Sequence, residues 1–117
     1  MQHHIEITSE KIAIIRLGGE LDHHAARHIR EDISQAIYSG YVQDIIWNLE
    51  GLQFMDSAGV GLILGRMRDL QVHNGRTLII KPSSTMEKIF QFSGLGKYIW
   101  HDTEQEAIQS LGGILHG

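Results

Sequence analysis

Cysteine is absent from the 117 residues. That absence excludes disulfides, thiolate zinc sites, iron–sulfur clusters and a cysteine nucleophile together. A basic excess is absent too. Lys and Arg number 10 against 14 Asp and Glu, a formal charge of −4, and the sequence pI is near 6.0. General nucleic-acid binding needs a basic face, so that class is disfavoured. No apolar run approaches the roughly 18 residues of a membrane helix. The opening residues, Met1 to Glu6, lack the basic start and apolar stretch of a signal peptide. The expectation is a soluble cytoplasmic domain with no membrane partner and no direct nucleic-acid partner.

Apolar residues make up 42% and charged residues 21% of the chain, close to globular averages, so one core can form without staples. The length leaves room for a single domain over residues 1–117.

Ile5 and Ile7 alternate with Glu6 and Thr8 and predict an edge strand. Thr8 to Lys11 reads as a turn, and Ile12 to Leu17 as a second strand in a hairpin with the first, ended by Gly18-Gly19. Leu21-Asp22-His23-His24 then opens a helix with Asp22 as its N-cap. Ala26, Ile29, Ile33 and Ile37 form its apolar stripe; His24, Arg27, His28, Glu31 and Gln35 take the other side. Ser39-Gly40 stops it.

Ile45 to Leu49 is a near-continuous apolar run, suited to a strand covered on both faces. A loop is expected from Glu50 to Asp56. The next helix starts near Ser57 and runs to about His73, with Ala58 to Gly65 deeply buried, Arg66 bringing solvent back, and Asn74-Gly75 closing it. Leu78 to Ile80 reads as a strand ended by Lys81-Pro82. Ser84 and Glu87 have capping-box spacing for a helix that turns Met86, Ile89 and Phe90 inward and stops at Gly94. Tyr98 to Trp100 gives a short last strand. Thr103 and Glu106 form a second box, opening a helix through Ala107, Ile108 and Leu111 that ends at Gly112-Gly113. This alternation predicts an α/β domain: a mixed, mostly parallel sheet of four to five strands packed with about four helices.

Ligands and partners of open α/β sheets meet the loops leaving the carboxyl ends of the strands. Two such loops stand out: Gly18 to His24 and Glu50 to Ser57. Parallel strands put both on one rim, with Asp22 and Ser57 as neighbours at two helix starts. Ser57 has two readings. Either Asp56 or Ser57 is simply an N-cap, or Ser57 is a phosphoacceptor whose phosphate meets the positive end of a helix.

Other chemistries fail on spacing. Gly59, Gly61 and Gly65 do not make a dinucleotide fingerprint, because position 64 is Leu64, and no Gly-Lys-Ser or Gly-Lys-Thr exists. Close helix–sheet packing explains these glycines, and a bulky side chain at Gly61 is expected to force helix and sheet apart. Met55-Asp-Ser-Ala-Gly59 lacks the first glycine of a nucleophile elbow. His24 and His28 share a helical face, but with no His-Glu-x-x-His pattern they read as a solvated face, and Arg27 with Glu31 as ordinary surface support. No metal, no cofactor and no enzymatic activity are expected.

Gly19-Glu-Leu-Asp-His-His24, Asn48-Leu-Glu50, Ser93-Gly-Leu95 and above all Phe54-Met-Asp-Ser-Ala-Gly-Val-Gly61 resemble the bacterial anti-sigma factor antagonists. These are domains of the sulphate transporter and anti-sigma factor antagonist (STAS) type, and the resemblance covers essentially the whole chain. The run from Leu21 to His24 is most similar to the sporulation members of endospore-forming bacilli.

The resemblance implies a partner-switching regulator. Members bind an anti-sigma factor that is a nucleotide-bound serine kinase and so release a sporulation sigma factor. The kinase inactivates the antagonist at the serine matching Ser57, and a serine phosphatase restores it. Gly19, Glu20, Leu21, Asp22, His23, His24, Asp56, Ser57, Ala58 and Gly59 match the partner-binding positions, and the free form is expected to be monomeric. Ala58 stands where some members carry a second serine, which leaves Ser57 as the one acceptor in that loop. Asp22, Glu50 and Asp56 are expected to make the rim acidic, so added phosphate would repel acidic partner groups. The alternative on the same fold is an accessory domain binding an ATPase or scaffold subunit of a transporter or sensor complex; a small-molecule or hydrolytic enzyme lacks a paired base and nucleophile.

Overall fold

A computed structural model describes residues 2–21, 23–100 and 103–112. β1 (Gln2–Ile7) and β2 (Ile12–Leu21) form an antiparallel hairpin through a turn in which Lys11 takes φ 66°. β3 (Asp44–Met55), β4 (Thr77–Ile80) and β5 (Ile99–Trp100) add in parallel, so the sheet order follows the chain, β1-β2-β3-β4-β5. α1 (His23–Tyr38), α2 (Ser57–Leu70) and α3 (Ser84–Ser93) make the parallel crossovers, and α4 (Glu104–Ser110) follows β5. This is the expected mixed sheet with its helices.

A sheet that grows in one direction by crossovers of one hand collects those helices on one face. Alternate strand residues divide accordingly. Ala13, Ile15, Leu17, Ile45, Trp47, Leu49 and Ile79 pack with Ile29, Ile33 and Ile37 of α1, Leu62 and Ile63 of α2, and Met86 and Phe90 of α3. Ile12, Ile14, Ile46 and Ile80 turn the other way, onto Ala107 and Leu111 beside α4. The α1 stripe is buried as its spacing requires.

Two strand ends run further than expected. Gly18-Gly19 does not end β2, and Glu50–Met55 is not a loop. The two segments pair with each other, Gly18 with Gly51, Gly19 with Leu52, Glu20 with Phe54 and Leu21 with Met55, past the end of β4. Register shifts occur between Arg16 and Gly18 and between Gly19 and Glu20, where Gly19 adopts φ 77°. A Cβ on Gly51 would stand 3.2 Å from the Leu17 carbonyl oxygen. The glycines therefore allow a bulged, closely approached ribbon instead of breaking it.

α2 also departs from expectation. Leu62 and Ile63 are buried, but Gly61 and Leu64 are exposed, so the apolar run is not uniformly interior. A Cβ at Gly61 meets nothing within 4 Å, whereas one at Gly59 would sit 2.7 Å from Met55 Cβ and 3.0 Å from Leu21 Cδ2. Gly59 is the close-packed glycine, and the expectation placed on Gly61 is corrected. Arg66 is buried instead of solvated. Its Nε donates to Asp69 Oδ2 at 2.8 Å, and Ser34 and Tyr38 of α1 donate to the same carboxylate at 2.5 and 3.1 Å. Burial opposes ionisation of Asp69, but the Ser34 and Arg66 hydrogen bonds outweigh it and lower its pKa.

Asn74 and Gly94 take left-handed conformations at helix ends, as expected. The cap of α3 is Ser83, whose Oγ accepts from the Met86 N–H at 3.2 Å, one residue before the expected Ser84. Thr103 and Glu106 form the expected box at α4. α4 is tied to the sheet by Glu104, which accepts from Arg16 Nε and Nη2 at 2.7 and 2.8 Å and from Asn48 Nδ2 at 2.6 Å.

Two predictions follow from this packing. Gly61→Ala should raise stability by about 0.5–1 kcal/mol, since only helix propensity changes, while Gly59→Ala should lower it by about 1–3 kcal/mol through overpacking. Urea unfolding of the two variants measures this, and the opposite order would overturn the assignment. The second concerns acid. The Arg16 hydrogen bond, against a cost of burial, holds the Glu104 carboxyl below its ordinary 4.5. A carboxylate lowered on folding contributes stability above its unfolded pKa and loses it as pH falls through the folded value. Glu104→Gln should therefore cost most at neutral pH, and its gap to the parent should narrow by about pH 3. A gap independent of pH in denaturant titrations would remove this role.

Candidate functional site

The extended pair of β2 and β3 carries both chain exits to one rim. Leu21 lies opposite Met55, and the chain enters α1 at His23 and α2 at Ser57. Asp22, expected as a cap and as a rim residue, lies outside the described residues.

The helix start bears out the capping reading, with Asp56 in that role. Asp56 is extended, with φ −100° and ψ −161°, and its Oδ1 accepts the Ala58 N–H at 2.9 Å. Its carbonyl accepts the N–H groups of Gly59 at 3.0 Å and Val60 at 3.3 Å. Asp56 is thus the cap, and Ser57 is the first helical residue. The Ser57 side chain is exposed, and its hydroxyl enters no hydrogen bond among the described residues. It is a free hydroxyl on a rigid support.

Beside it runs a groove of about 510 Å³ between α1 and α2. His23, Arg27 and Arg30 line one wall, and Ser57, Ala58 and Gly61 the other. The residues at 23, 27 and 30 recur on one side of α1, as helical periodicity demands. Gly61 widens the groove because no side chain fills it.

Of the three carboxylates expected to make the rim acidic, Asp22 lies outside the described residues and Asp56 is exposed next to Ser57. Glu50 lines another cavity, with His3, His4, Arg16 and Asn48, on the sheet face that α4 shares. The Asp56 carboxylate is engaged in the cap. Among the described residues, the charged side chains lining the groove beside Ser57 are Arg27 and Arg30.

Of the remaining residues expected at the rim, Gly19, Glu20, His23, His24 and Asp56 are exposed and Ala58 is half-buried. Leu21 and Gly59 are buried against each other, so they hold the rim from beneath. His24 and His28 stand edge to face with centroids 4.7 Å apart. Among the described residues, no three His, Asp or Glu side chains are placed to hold a metal, and Arg27 forms no ion pair with Glu31. Sequence reasoning placed Arg27 on a solvated face and gave Arg30 no role. Their shared spacing with His23 was the available signal. It also passed over Phe54, 48% exposed beside Glu20 at the ribbon end.

The second cavity, about 580 Å³, is lined by His3, His4, Arg16, Asn48 and Glu50, and its arginine is already engaged. Arg16 contacts Glu104, Glu6 and His4. Its guanidinium pKa is raised first by the hydrogen bond to Glu104, so it stays a cation committed to structure. No helix among the described residues is long and apolar enough to cross a membrane.

The STAS domain family model matches residues 5–107. The anti-sigma F factor antagonist of Lysinibacillus sphaericus is 55% identical over 117 residues, covering 100% of both chains. Two solved structures align closely. One is the anti-sigma factor antagonist SpoIIAA in its unphosphorylated form, with TM-score 0.92 and 53% identity over 97% of this chain and 99% of that one. The other is the Bacillus cell fate determinant SpoIIAA in the phosphorylated form, with TM-score 0.85 and 54% identity over 94% and 99%.

Proposed function

Because the chain belongs to the STAS domain family, and resembles anti-sigma F factor antagonists along its whole length, we propose that it is an anti-sigma factor antagonist switched at Ser57. It acts as a single cytoplasmic domain, monomeric when free, and as a regulator instead of an enzyme. It binds a nucleotide-bound anti-sigma factor serine kinase and thereby releases a sporulation sigma factor. The kinase phosphorylates Ser57, binding is lost, and a serine phosphatase restores it. Contact runs through Gly19 to His24 and through Asp56 to Ala58, with Leu21 and Gly59 supporting the surface.

The observation that carries this reading is the free, exposed Ser57 hydroxyl on the first turn of α2, next to a residue that already does the capping. Phosphorylation there consumes no structural hydrogen bond. It adds roughly −1.5 to −2 charges to a surface that a partner must desolvate. A loss of about 3 kcal/mol weakens binding roughly a hundredfold, enough for a switch.

Ser57→Ala should bind the kinase within a few-fold of the parent and take up no phosphate from labelled ATP. Ser57→Asp should bind weakly, its single charge an incomplete mimic. Equal labelling of parent and Ser57→Ala places the acceptor elsewhere, and undiminished binding by the phosphorylated parent ends the switch model. Asp22→Ala should weaken kinase binding with an unchanged circular dichroism spectrum; parental affinity in a titration would take Asp22 out of the interface.

A further inference from the structure

We infer that Arg27 and Arg30 of α1 receive the phosphate carried by Ser57. This rests on the switch reading above and adds where the phosphate goes. The usual cradle for a phosphate at a helix start is the set of free first-turn N–H groups. Here the Asp56 carboxylate takes the N–H of Ala58, and its carbonyl takes those of Gly59 and Val60. The same carboxylate is a fixed negative charge next to Ser57. A phosphate at Ser57 must therefore find its counter-charge elsewhere.

The groove supplies it. Arg27 and Arg30 share it with Ser57, are exposed, and enter no ion pair among the described residues. Guanidinium groups match phosphate oxygens in paired, planar hydrogen bonds. Gly61 and Ala58 leave the space between the helices open. Among the described residues, the other charged or titratable groups facing the site are His23 on α1 and Asp56 at the start of α2. Phosphorylation on this geometry does two things to the rim: it adds negative charge and withdraws two arginines from anything that docks there. The phosphate is held against α1 and the fold need not loosen to accept it.

The test uses the full chain with phosphoserine placed at position 57 by genetic encoding, so that no kinase is required. Phosphorus NMR follows its second ionisation, about 6 for an unperturbed phosphoserine. Paired arginines should bring it below that value, and Arg27→Gln/Arg30→Gln should raise it again by about 0.5 or more. The single variants should fall between. Added salt should move the parent toward the double variant. Arg68→Gln, on an exposed part of α2 outside the groove, should change nothing. A His23→Gln background removes the imidazole that also lines the groove. If the double variant fails to fold, Arg27→Lys and Arg30→Lys keep the charge and lose the fork, and should shift the value partway. An ionisation identical in the parent and all arginine variants overturns the inference. Kinase labelling of Ser57 is a separate readout: its failure would sink the switch reading while leaving the NMR result intact.

Discussion

Gly59 can have no side chain because Met55 and Leu21 already occupy the space a Cβ would need. Those two residues are cross-strand partners at the far end of β2 and β3. One contact thus joins the end of the sheet ribbon to the first turn of α2, in a core at native packing density where displacement is costly. The position of Ser57 depends on it. The ribbon fixes where the chain leaves β3, Asp56 fixes the first turn, and Gly59 presses that turn onto the ribbon. A hydroxyl that is exposed and unbonded is nevertheless held in place by buried neighbours two residues away on either side.

The charged groups divide by sheet face and by task. On the α4 face, Arg16, Glu104 and Asn48 satisfy one another and hold the last helix. Between α1 and α2, the Asp69 carboxylate gathers Arg66 Nε, Ser34 and Tyr38 at one end of the helix pair. The hydrogen bond to Asp69 raises the Tyr38 pKa, so that phenol remains a donor. At the other end of the same pair, Arg27 and Arg30 have no such partners among the described residues. Asp69 engages Arg66 on its own helix and ties α1 to α2 through Ser34 and Tyr38; arginines in an open groove are available to an anion. The difference lies in what stands opposite, Asp69 in one case and Ser57 in the other.

Much of this was legible in the sequence, and the failures share a cause. The stripe Ala26, Ile29, Ile33, Ile37 and the Thr103–Glu106 box depend on spacing along a single helix, which a sequence displays directly. Gly18-Gly19 and the segment from Glu50 to Met55 read as turn and loop because glycine and polar residues weaken an isolated strand. They are strands because each supplies the other's partner, an arrangement invisible from either segment alone. Gly59 and Gly61 look equivalent in sequence; only the position of Met55 separates them. Arg66 looks like a surface residue until Asp69, three residues on, and Ser34 of another helix are seen around it. The rim was found from topology, and Ser57 from resemblance joined to its helix start. The basic wall was missed because it belongs to the groove between two helices.

The division of labour between Asp56 and Ser57 gives the site its final constraint. Loss of an N-cap side chain costs about 1 kcal/mol. Were the modified serine itself the cap, each phosphorylation would disturb the helix it starts, and the signal would be mixed with local fraying. In the proposed switch the acceptor stands one residue later, with Asp56 retaining the cap, and the two are separate. The charge can then be added and removed while the first turn of α2 keeps its hydrogen bonds. What changes is confined to the rim and the groove, the surfaces a partner can read. For the proposed phosphate at Ser57, the same arrangement sets a permanent carboxylate beside it, a repulsion that Arg27 and Arg30 across the groove would offset. Capping by aspartate and a basic opposing helix are in this sense linked requirements of a modification site at the first position of a helix.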